Sequence, residues 1–446
     1  MRQTTELPKR FLLAGEDFPV PAGALDGVTI MRYAHVDRRR ASGGVEQYLR
    51  LLHRGLLQRH RLTVVQMHLT DDADDQIEIE NVGIGIILWV PVAFRQTNSP
   101  LADLPRRIGC IYGRSRRLCS EGVQLQYRTI LHCTHNLLRR YCEHLRYKTA
   151  IFSDCLADLL VKRHVDLLVL HWLTYDTRTL ISQALKTETP FVFINHFDNT
   201  RLSLPGTQEC LAQAAGIGVV SSRGIPDTLG RRCVNLSDAV DTEFFTPDKA
   251  RPAAPRRPIV LLPARIQAGK GHHDLIDAAR ILIARKIDLA LYFAGAVDSE
   301  PLHQELRRLS VATGLSDSVL FLGERTAEEI RELYAASDIV VLPSYTEGLP
   351  RVLIEAQAMK KPVVAYDSGG VRDAILPNET GILVKTGDVK SLADKISFLI
   401  DNEAERLSIG ERGRDFVCRQ FSSSALVRRH EDFYLRALSG AFTKDL

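Results

Sequence analysis

Long apolar runs are what this chain of 446 residues most clearly lacks. None stays unbroken over the ~18–20 residues that cross a bilayer, which excludes a transmembrane helix and leaves only peripheral association with a membrane. Lys9 and Arg10 open the chain with charge, but the apolar stretch Phe11–Gly15 stops at Glu16 and Asp17. That is too short for a secretory signal, and residues 1–27 are assigned no role. The eight cysteines (Cys110, Cys119, Cys133, Cys142, Cys155, Cys210, Cys233, Cys418) are scattered, without the dense spacing of a disulfide scaffold, and read as reduced thiols of a cytosolic protein. No G-x-G-x-x-G opens the first strand–helix unit, where the sequence runs YAHVDRRRASGGVEQ, which argues against an NAD-dependent dehydrogenase. Zinc spacing is missing too. The cluster HCTHNLLRRYCEH (His132–His144) matches no ligand pattern and its leucines suit a packed helix, so no metal site is expected.

What is present is ordinary soluble composition, 45% hydrophobic and 25% charged. The length exceeds the roughly 250–300 residues at which a single core stops growing, so two domains are expected. The net charge of +4 is uneven: residues 1–150 hold about 22 Lys/Arg against about 15 Asp/Glu, and the remainder nearly balances. The basic residues cluster as Arg38-Arg39-Arg40, Arg106-Arg107, Arg114-Ser115-Arg116-Arg117 and Arg139-Arg140, interleaved with Ile108, Ile111, Tyr112 and Leu118. Such a face either attracts anionic lipid or a phosphorylated acceptor, or is solvated with no partner. Nucleic acid is not among the expected partners.

Short apolar runs alternate with helical patterns along the whole chain. GVTIMRYA, HRLTVVQMHL, VGIGIILWVPV, VDLLVLHW, PFVFINHF and AGIGVVSS read as strands, several apolar on both faces, the mark of a parallel sheet covered by helices. A second series, IVLLPARI, LALYFAG, SVLFLGE, DIVVLPS and PVVAYDS, follows the segment KARPAAPRRP, whose Pro, Ala and Arg make it the natural linker. The fold class expected is therefore α/β. Two doubly wound Rossmann-like domains, residues 1–248 and 258–446 joined by 249–257, would place ligands outside the carboxyl ends of their strands, in the cleft where the two face each other. The acidic run Asp71–Glu80 reads as a solvated loop.

After DIVVLPS comes YTEGLPRVLIEAQAMKKPVVAYDSGG. Gly348 breaks the chain and Pro350 suits the first position of a helix. Glu347 then stands just before that helix and Glu355 lies on it, while the unpaired N–H groups of Leu349–Arg351 and the helix dipole favour a phosphate. Carboxylates there can accept hydrogen bonds from sugar hydroxyls. Upstream, LLPARIQAGKGHHDLIDAA (Leu261–Ala279) is no P-loop: Lys270 is followed by Gly271 rather than Ser or Thr, and no glycine precedes at the required position.

The string EGLPRVLIEA, with KKPVVAYDSGGVRDAI and TGILVKTGD behind it, resembles the donor-binding half of glycosyltransferase family 4, including its E-x7-E signature at Glu347 and Glu355. LLPARIQAGKGHHDLIDAA resembles that family's strand–loop–helix, in which an Arg and a Lys bind the donor's phosphates, here Arg265 and Lys270. FLGERTAEEIRELYAASDIVVLPS and FSSSALVRRHEDFYLRAL extend the likeness over nearly all of residues 258–437. In the first half, RRRASGGVEQYLRLL resembles the glycine-rich loop that sets Gly43 and Gly44 beside the donor, where glycine lets backbone approach a ligand. PFVFINHFDNTRL resembles the strand end that carries an active-site histidine, here His196, with Asp198 two residues on; His171, ending VDLLVLHW, competes for that role. SDAVDTEFFTPDKA departs from the family, which usually has Asn-Gly before Val-Asp where this chain has Asp238-Ala239.

The resemblance implies a GT-B architecture and transfer of a sugar from a nucleotide donor, UDP before GDP, with retention of anomeric configuration and no tightly bound metal or other cofactor. Arg265 and Lys270 would neutralise the leaving diphosphate. Glu347, with Gly348, Leu349 and Pro350, would meet the sugar and phosphates, and Glu355 the ribose. Closure of the domains would bring His196 and the Gly43-Gly44 loop over the sugar. The acceptor is left open among lipid-linked oligosaccharide, lipopolysaccharide core, other glycan or glycolipid, and small metabolite; the basic, partly apolar first domain favours a lipid-linked hydroxyl at the inner face of a bacterial membrane. The same fold also serves sugar-nucleotide epimerases and catalytically silent binding subunits; the E-x7-E pair favours transfer over the first, and the four donor residues argue against the second.

Overall fold

The computed structural model describes residues 22–33, 44–70, 78–93, 165–171, 175–196, 199–203, 205–221, 223–247 and 257–442. Gly43, Asp198, the four arginine clusters, the His132–His144 cluster and nearly all of the 249–257 linker lie outside these residues. Eight strands belong to a first sheet: β1 (Thr29–Tyr33), β2 (Thr63–Thr70), β3 (Glu78–Val82), β4 (Gly85–Ala93), β5 (Leu167–Leu170), β6 (Phe191–Asn195), β7 (Gly216–Val219) and β8 (Cys233–Asn235). Their order is β3-β4-β2-β1-β5-β6-β7-β8. Between them run α1 (Gly44–Arg59), α2 (Tyr175–Lys186) and α3 (Pro205–Leu211).

The expected alternation holds with one local exception. VGIGIILWVPV, read as a single strand, contains the end of β3, a two-residue turn and β4, and the two strands pair antiparallel with Val82 opposite Gly85. Gly83 makes that reversal with φ +58, a conformation glycine adopts without steric cost. The acidic run accordingly does not stay a loop throughout, because Glu78 and Glu80 already belong to β3.

The second sheet holds β9 (Ile259–Pro263), β10 (Ala290–Ala294), β11 (Val319–Gly323), β12 (Ile339–Leu342), β13 (Val363–Tyr366) and β14 (Ile382–Val384). Its order is β11-β10-β9-β12-β13-β14, and every pair is parallel. IVLLP, IVVL and VVAY are buried at every position, as β-branched strands covered on both faces must be. The covering helices are α4 (His272–Ala284), α5 (Glu300–Ala312), α6 (Ala327–Ala336), α7 (Arg351–Ala358), α8 (Val371–Ala374), α9 (Val389–Asp401) and α10 (Glu403–Gln420), whereas α11 (Ser423–Leu438) packs against α1 and β7. The strand order reverses between β9 and β12, and at such a switch point the loops leaving the carboxyl ends diverge and open a crevice.

By its contacts the chain falls into two compact units, one of residues 27–41 and 61–192 and the other of residues 1–26, 42–60 and 193–446. Within the second unit α11 lies against α1. A Cβ on Gly55 would sit 2.2 Å from Val427, so glycine is what lets the two helices approach. Buried polar groups lock this contact. Glu431, fully buried, accepts from Arg59 Nε at 2.5 Å and from His60 Nε2 at 2.8 Å. His60 can donate there because its Nδ1 accepts the Gly23 N–H at 3.0 Å.

Candidate active site

Three loops meet at the carboxyl ends of β9, β12 and β13, and glycines decide how closely. Gly271, at φ +72, precedes α4, and a Cβ there would fall 2.0 Å from the Pro343 carbonyl oxygen. A Cβ on Gly369 would fall 1.9 Å from the Glu347 oxygen, and one on Gly370 2.0 Å from that of Gly348. No other residue fits these places without moving backbone. Hydrogen bonds then join the loops: Tyr345 N–H donates to Gly269 C=O at 2.9 Å, Gly370 N–H to Glu347 C=O at 3.1 Å, and Ser368 Oγ–H to Ser344 C=O at 2.6 Å.

This arrangement brings Lys270 and Glu347 together. Nζ lies 2.7 Å from Oε1, with the two side chains 20% and 13% exposed. Arg265, on the same loop as Lys270, turns instead to Asp298 at 2.9 Å and keeps its side chain 62% exposed. Beside Lys270, His272 is buried; burial, then His273, push its pKa down to about 4, and it is neutral near pH 7.

The helix that follows Glu347 begins one residue later than expected. Pro350 is its N-cap and Arg351 its first residue, and Pro350 supplies no side-chain cap to the first-turn N–H groups. Glu355 is no solvated acid. It is buried on α7; Tyr334 O–H donates to its Oε2 at 3.1 Å, and Arg351 Nε stands 3.9 Å from its Oε1. Burial raises its pKa, and Arg351 and Tyr334 pull it part of the way back. Arg351 reaches further, from Nη1 to Asp238 Oδ1 at 2.7 Å and from Nη2 to Gln47 Oε1 at 3.1 Å. Burial works against its charge, yet Asp238 and then Glu355 hold its pKa above the ordinary value. The Asp-Ala departure therefore has a partner: Asp238 faces the start of α7, behind Ser237 in the left-handed region at φ 57.

His196 directly follows β6 and stays half-buried, whereas His171 is buried at the end of β5. Tyr48, inside α1, meets the His196 ring edge-on with centroids 4.7 Å apart. The Tyr48 hydroxyl and His430 Nε2 are 2.5 Å apart, and His430 Nδ1 lies 2.9 Å from the Leu426 carbonyl. A carbonyl only accepts, so Nδ1 carries the proton, Nε2 accepts, and Tyr48 donates. Gly44 opens α1. Nearby, the loop after β7 touches the Gly369-Gly370 turn, with Ser221 Oγ on Asp373 and Arg223 Nη1–H donating to Gly369 C=O at 3.1 Å. Among the described residues no three His, Cys, Asp or Glu side chains gather as a metal site, and no helix is long and apolar enough to cross a membrane.

Residues 245–416 match the family model for glycosyl transferases group 1. Over that segment the chain is similar to that family. Among curated relatives, a D-inositol 3-phosphate glycosyltransferase from Corynebacterium aurimucosum is 33% identical over 218 residues, 46% of this chain and 52% of the relative. A GDP-mannose-dependent alpha-(1-6)-phosphatidylinositol monomannoside mannosyltransferase from Mycobacterium tuberculosis is 31% identical over 212 residues, 44% and 54% of the two chains. The chain thus spans about half the length of the curated relatives it matches. Among solved structures, a glycosyltransferase from Rickettsia africae aligns with TM-score 0.65 at 19% identity, covering 92% of this chain and 98% of that one. HepE from Anabaena, solved with UDP, aligns with TM-score 0.60 at 16% identity, covering 90% and 98%. At these identities the two structures establish the fold, which is the GT-B architecture.

Of the residues expected at the site, the structure joins Lys270 to Glu347, sets Arg265 on Asp298 and buries Glu355, and the contacts made by Arg351, Asp238, Tyr334, Tyr48 and His430 were not expected. Arg351 stood inside the quoted E-x7-E string and Asp238 at the noted departure, so both positions carried a signal. Tyr334, Tyr48 and His430 also stand in strings that resemble the family, but nothing in those strings marks their partners.

Proposed function

We propose that this protein is a retaining glycosyltransferase that moves a sugar from a nucleotide-sugar donor to an acceptor hydroxyl. The observation that carries the reading is the Lys270–Glu347 pair at 2.7 Å, beside the start of α7 and within the family-matched segment. When a donor arrives, its diphosphate offers Lys270 a stronger anion than one carboxylate, and the first-turn N–H groups of Arg351 and Val352 with the helix dipole add to the attraction. Glu347, released from Lys270, accepts hydrogen bonds from the sugar hydroxyls. Arg265 joins the phosphates, since an exposed ion pair such as Arg265–Asp298 is worth about 0–1 kcal/mol and is readily exchanged. Glu355 receives the ribose hydroxyls. His196 meets the sugar or the reacting centre, with the Gly44 backbone at the start of α1 beside the donor.

As the glycosidic bond breaks, negative charge collects on the leaving diphosphate, where Lys270 and Arg265 stabilise it without a tightly bound metal. The diphosphate then takes the proton of the acceptor hydroxyl attacking from the same face, which preserves the anomeric configuration. Neither glutamate acts as a covalent nucleophile. The acceptor in this reading is lipid-linked or phosphorylated and is met by the basic first half at the inner face of a membrane. It is supported by the charge clusters and by relatives named for inositol phosphate and phosphatidylinositol mannoside. UDP and GDP are both candidates, one bound in HepE and one in a relative's name.

A thermal-shift panel of UDP, GDP, ADP, TDP and their sugar conjugates tests this. A ligand at ~100 times its dissociation constant adds about 2.7 kcal/mol of stability. We expect a base-selective rise in melting temperature that disappears in Glu355→Ala; no shift with any nucleotide would overturn the proposal.

A further inference from the structure

The half-buried cation at the start of α7 belongs to two carboxylates at unequal distance. Arg351 Nη1 makes a full hydrogen bond to Asp238 at 2.7 Å, whereas its Nε stays 3.9 Å from Glu355 Oε1, too far for one. Gln47 Oε1 accepts from Nη2 at 3.1 Å and holds the guanidinium from α1. Tyr334 secures the other Glu355 oxygen, Oε2, at 3.1 Å. Glu355 is thereby fixed through one oxygen while the other is left with a nearby positive charge and no direct bond to it. A carboxylate prepared in this way is oriented, charge-balanced and ready to accept from a hydroxyl.

Without the Asp238 charge the balance changes. Arg351 would then have Glu355 as its only carboxylate partner in this group, and a guanidinium and a carboxylate on adjacent turns of one helix close readily into a bidentate pair. That pair would occupy the oxygen that a ribose needs.

We propose that Asp238 is a positioning residue for donor binding: by holding Arg351 at 2.7 Å it keeps Glu355 Oε1 open for the nucleotide's ribose. The inference rests on the donor reading above. It gives the Asp238-Ala239 departure a purpose, since the Asp238 carboxylate is matched to the arginine at the start of α7.

The test is a double-mutant cycle read in the dissociation constant of UDP and GDP, measured calorimetrically on the full chain. Asp238→Asn keeps the shape and the acceptor oxygen and removes only the charge, and Asp238→Ala serves as a second variant if the asparagine protein fails to fold. In the Glu355 background we expect Asp238→Asn to weaken nucleotide binding roughly tenfold while kcat at saturating donor stays within about twofold. In a Glu355→Gln background, where no carboxylate remains to capture Arg351, the same change should alter affinity less than about twofold. Unchanged affinity in the Glu355 background, or an equal loss in both backgrounds as from a merely structural residue, would overturn the inference. Failure of the donor reading looks different, because then the wild-type chain binds neither nucleotide.

Discussion

Glu347 and Glu355 stand eight positions apart on one continuous segment, yet their surroundings are opposed. Glu347 lies on a loop stitched together by glycines, partly exposed, with one ammonium at 2.7 Å. Glu355 lies on α7, buried, with a tyrosine hydroxyl on one oxygen and a guanidinium shared with Asp238 near the other. A loop carboxylate with an exchangeable partner can give up that partner to a ligand; a buried one must be in place before the ligand comes, since leaving it unpaired would be costly. In the proposed reaction the first would suit the reacting sugar and its phosphates, the second a part of the donor that does not change during reaction.

Breaking the loop side should give the largest effect. Glu347→Ala is expected to lower sugar transfer by about a thousandfold, in the range found for loss of a group that acts in the transition state, with the melting temperature close to wild type. Turnover within tenfold of wild type would separate Glu347 from the chemistry. The loop's geometry is the next target. Gly271→Ala puts a Cβ 2.0 Å from the Pro343 oxygen at φ +72 and should cost about 3 kcal/mol or more, whereas Gly269→Ala, at φ +87 with nothing within 4 Å, should cost only about 1 kcal/mol. Chemical denaturation of the two variants measures the contrast, and equal losses would contradict the reading of Gly271 as a close-packing position.

On the helix side the expected effect is smaller and of opposite sign. Because burial raises the folded-state pKa of Glu355, the native protein binds more protons than the unfolded chain from the ordinary carboxylate value up to the raised one, and stability falls as pH rises through that window. Glu355→Gln removes the penalty and leaves Arg351 a one-to-one pair with Asp238. It should therefore melt above wild type by a few degrees at pH 7.5, with the gain disappearing below about pH 4.5. A gain that persists at pH 4 would show that ionisation of Glu355 is not its cause. Tyr48→Phe, which loses the bond to His430 and keeps the ring against His196, should reduce kcat only about threefold, with Tyr48→Leu reducing it further. Equal rates in the two variants would mean that the ring does not position His196.

Much of the fold was legible because burial writes itself into sequence locally. IVLLP, IVVL and VVAY are apolar on both faces and become buried parallel strands where expected. VGIGIILWVPV misled because a two-residue reversal at Gly83 leaves no polar break in an apolar run. β8, CVN, is too short to show a period. In the site, Lys270 and Glu347 each stand with glycines in a separate contiguous motif, and the structure joins the two across 77 residues. Arg265 is drawn to Asp298 instead. Contacts that depend on distant partners were not legible: Tyr48 and His430 are 382 residues apart, and Arg351 and Asp238 are 113 apart. No periodicity links such pairs; only the folded chain does.

The most direct test of the central claim sets two ligands against two variants. Calorimetric titration with a nucleoside diphosphate and with its sugar conjugate, on wild type, Lys270→Ala and Glu347→Ala, separates the phosphate contact from the sugar contact. Loss of a charge-assisted bond corresponds to about 1.5–3 kcal/mol, so Lys270→Ala should weaken both ligands roughly ten- to a hundredfold. Glu347→Ala, which frees Lys270 from its carboxylate, should leave the diphosphate bound as tightly as before or more tightly and weaken only the sugar conjugate. Lys270→Ala binding both ligands like wild type, or Glu347→Ala weakening both equally, would contradict the account.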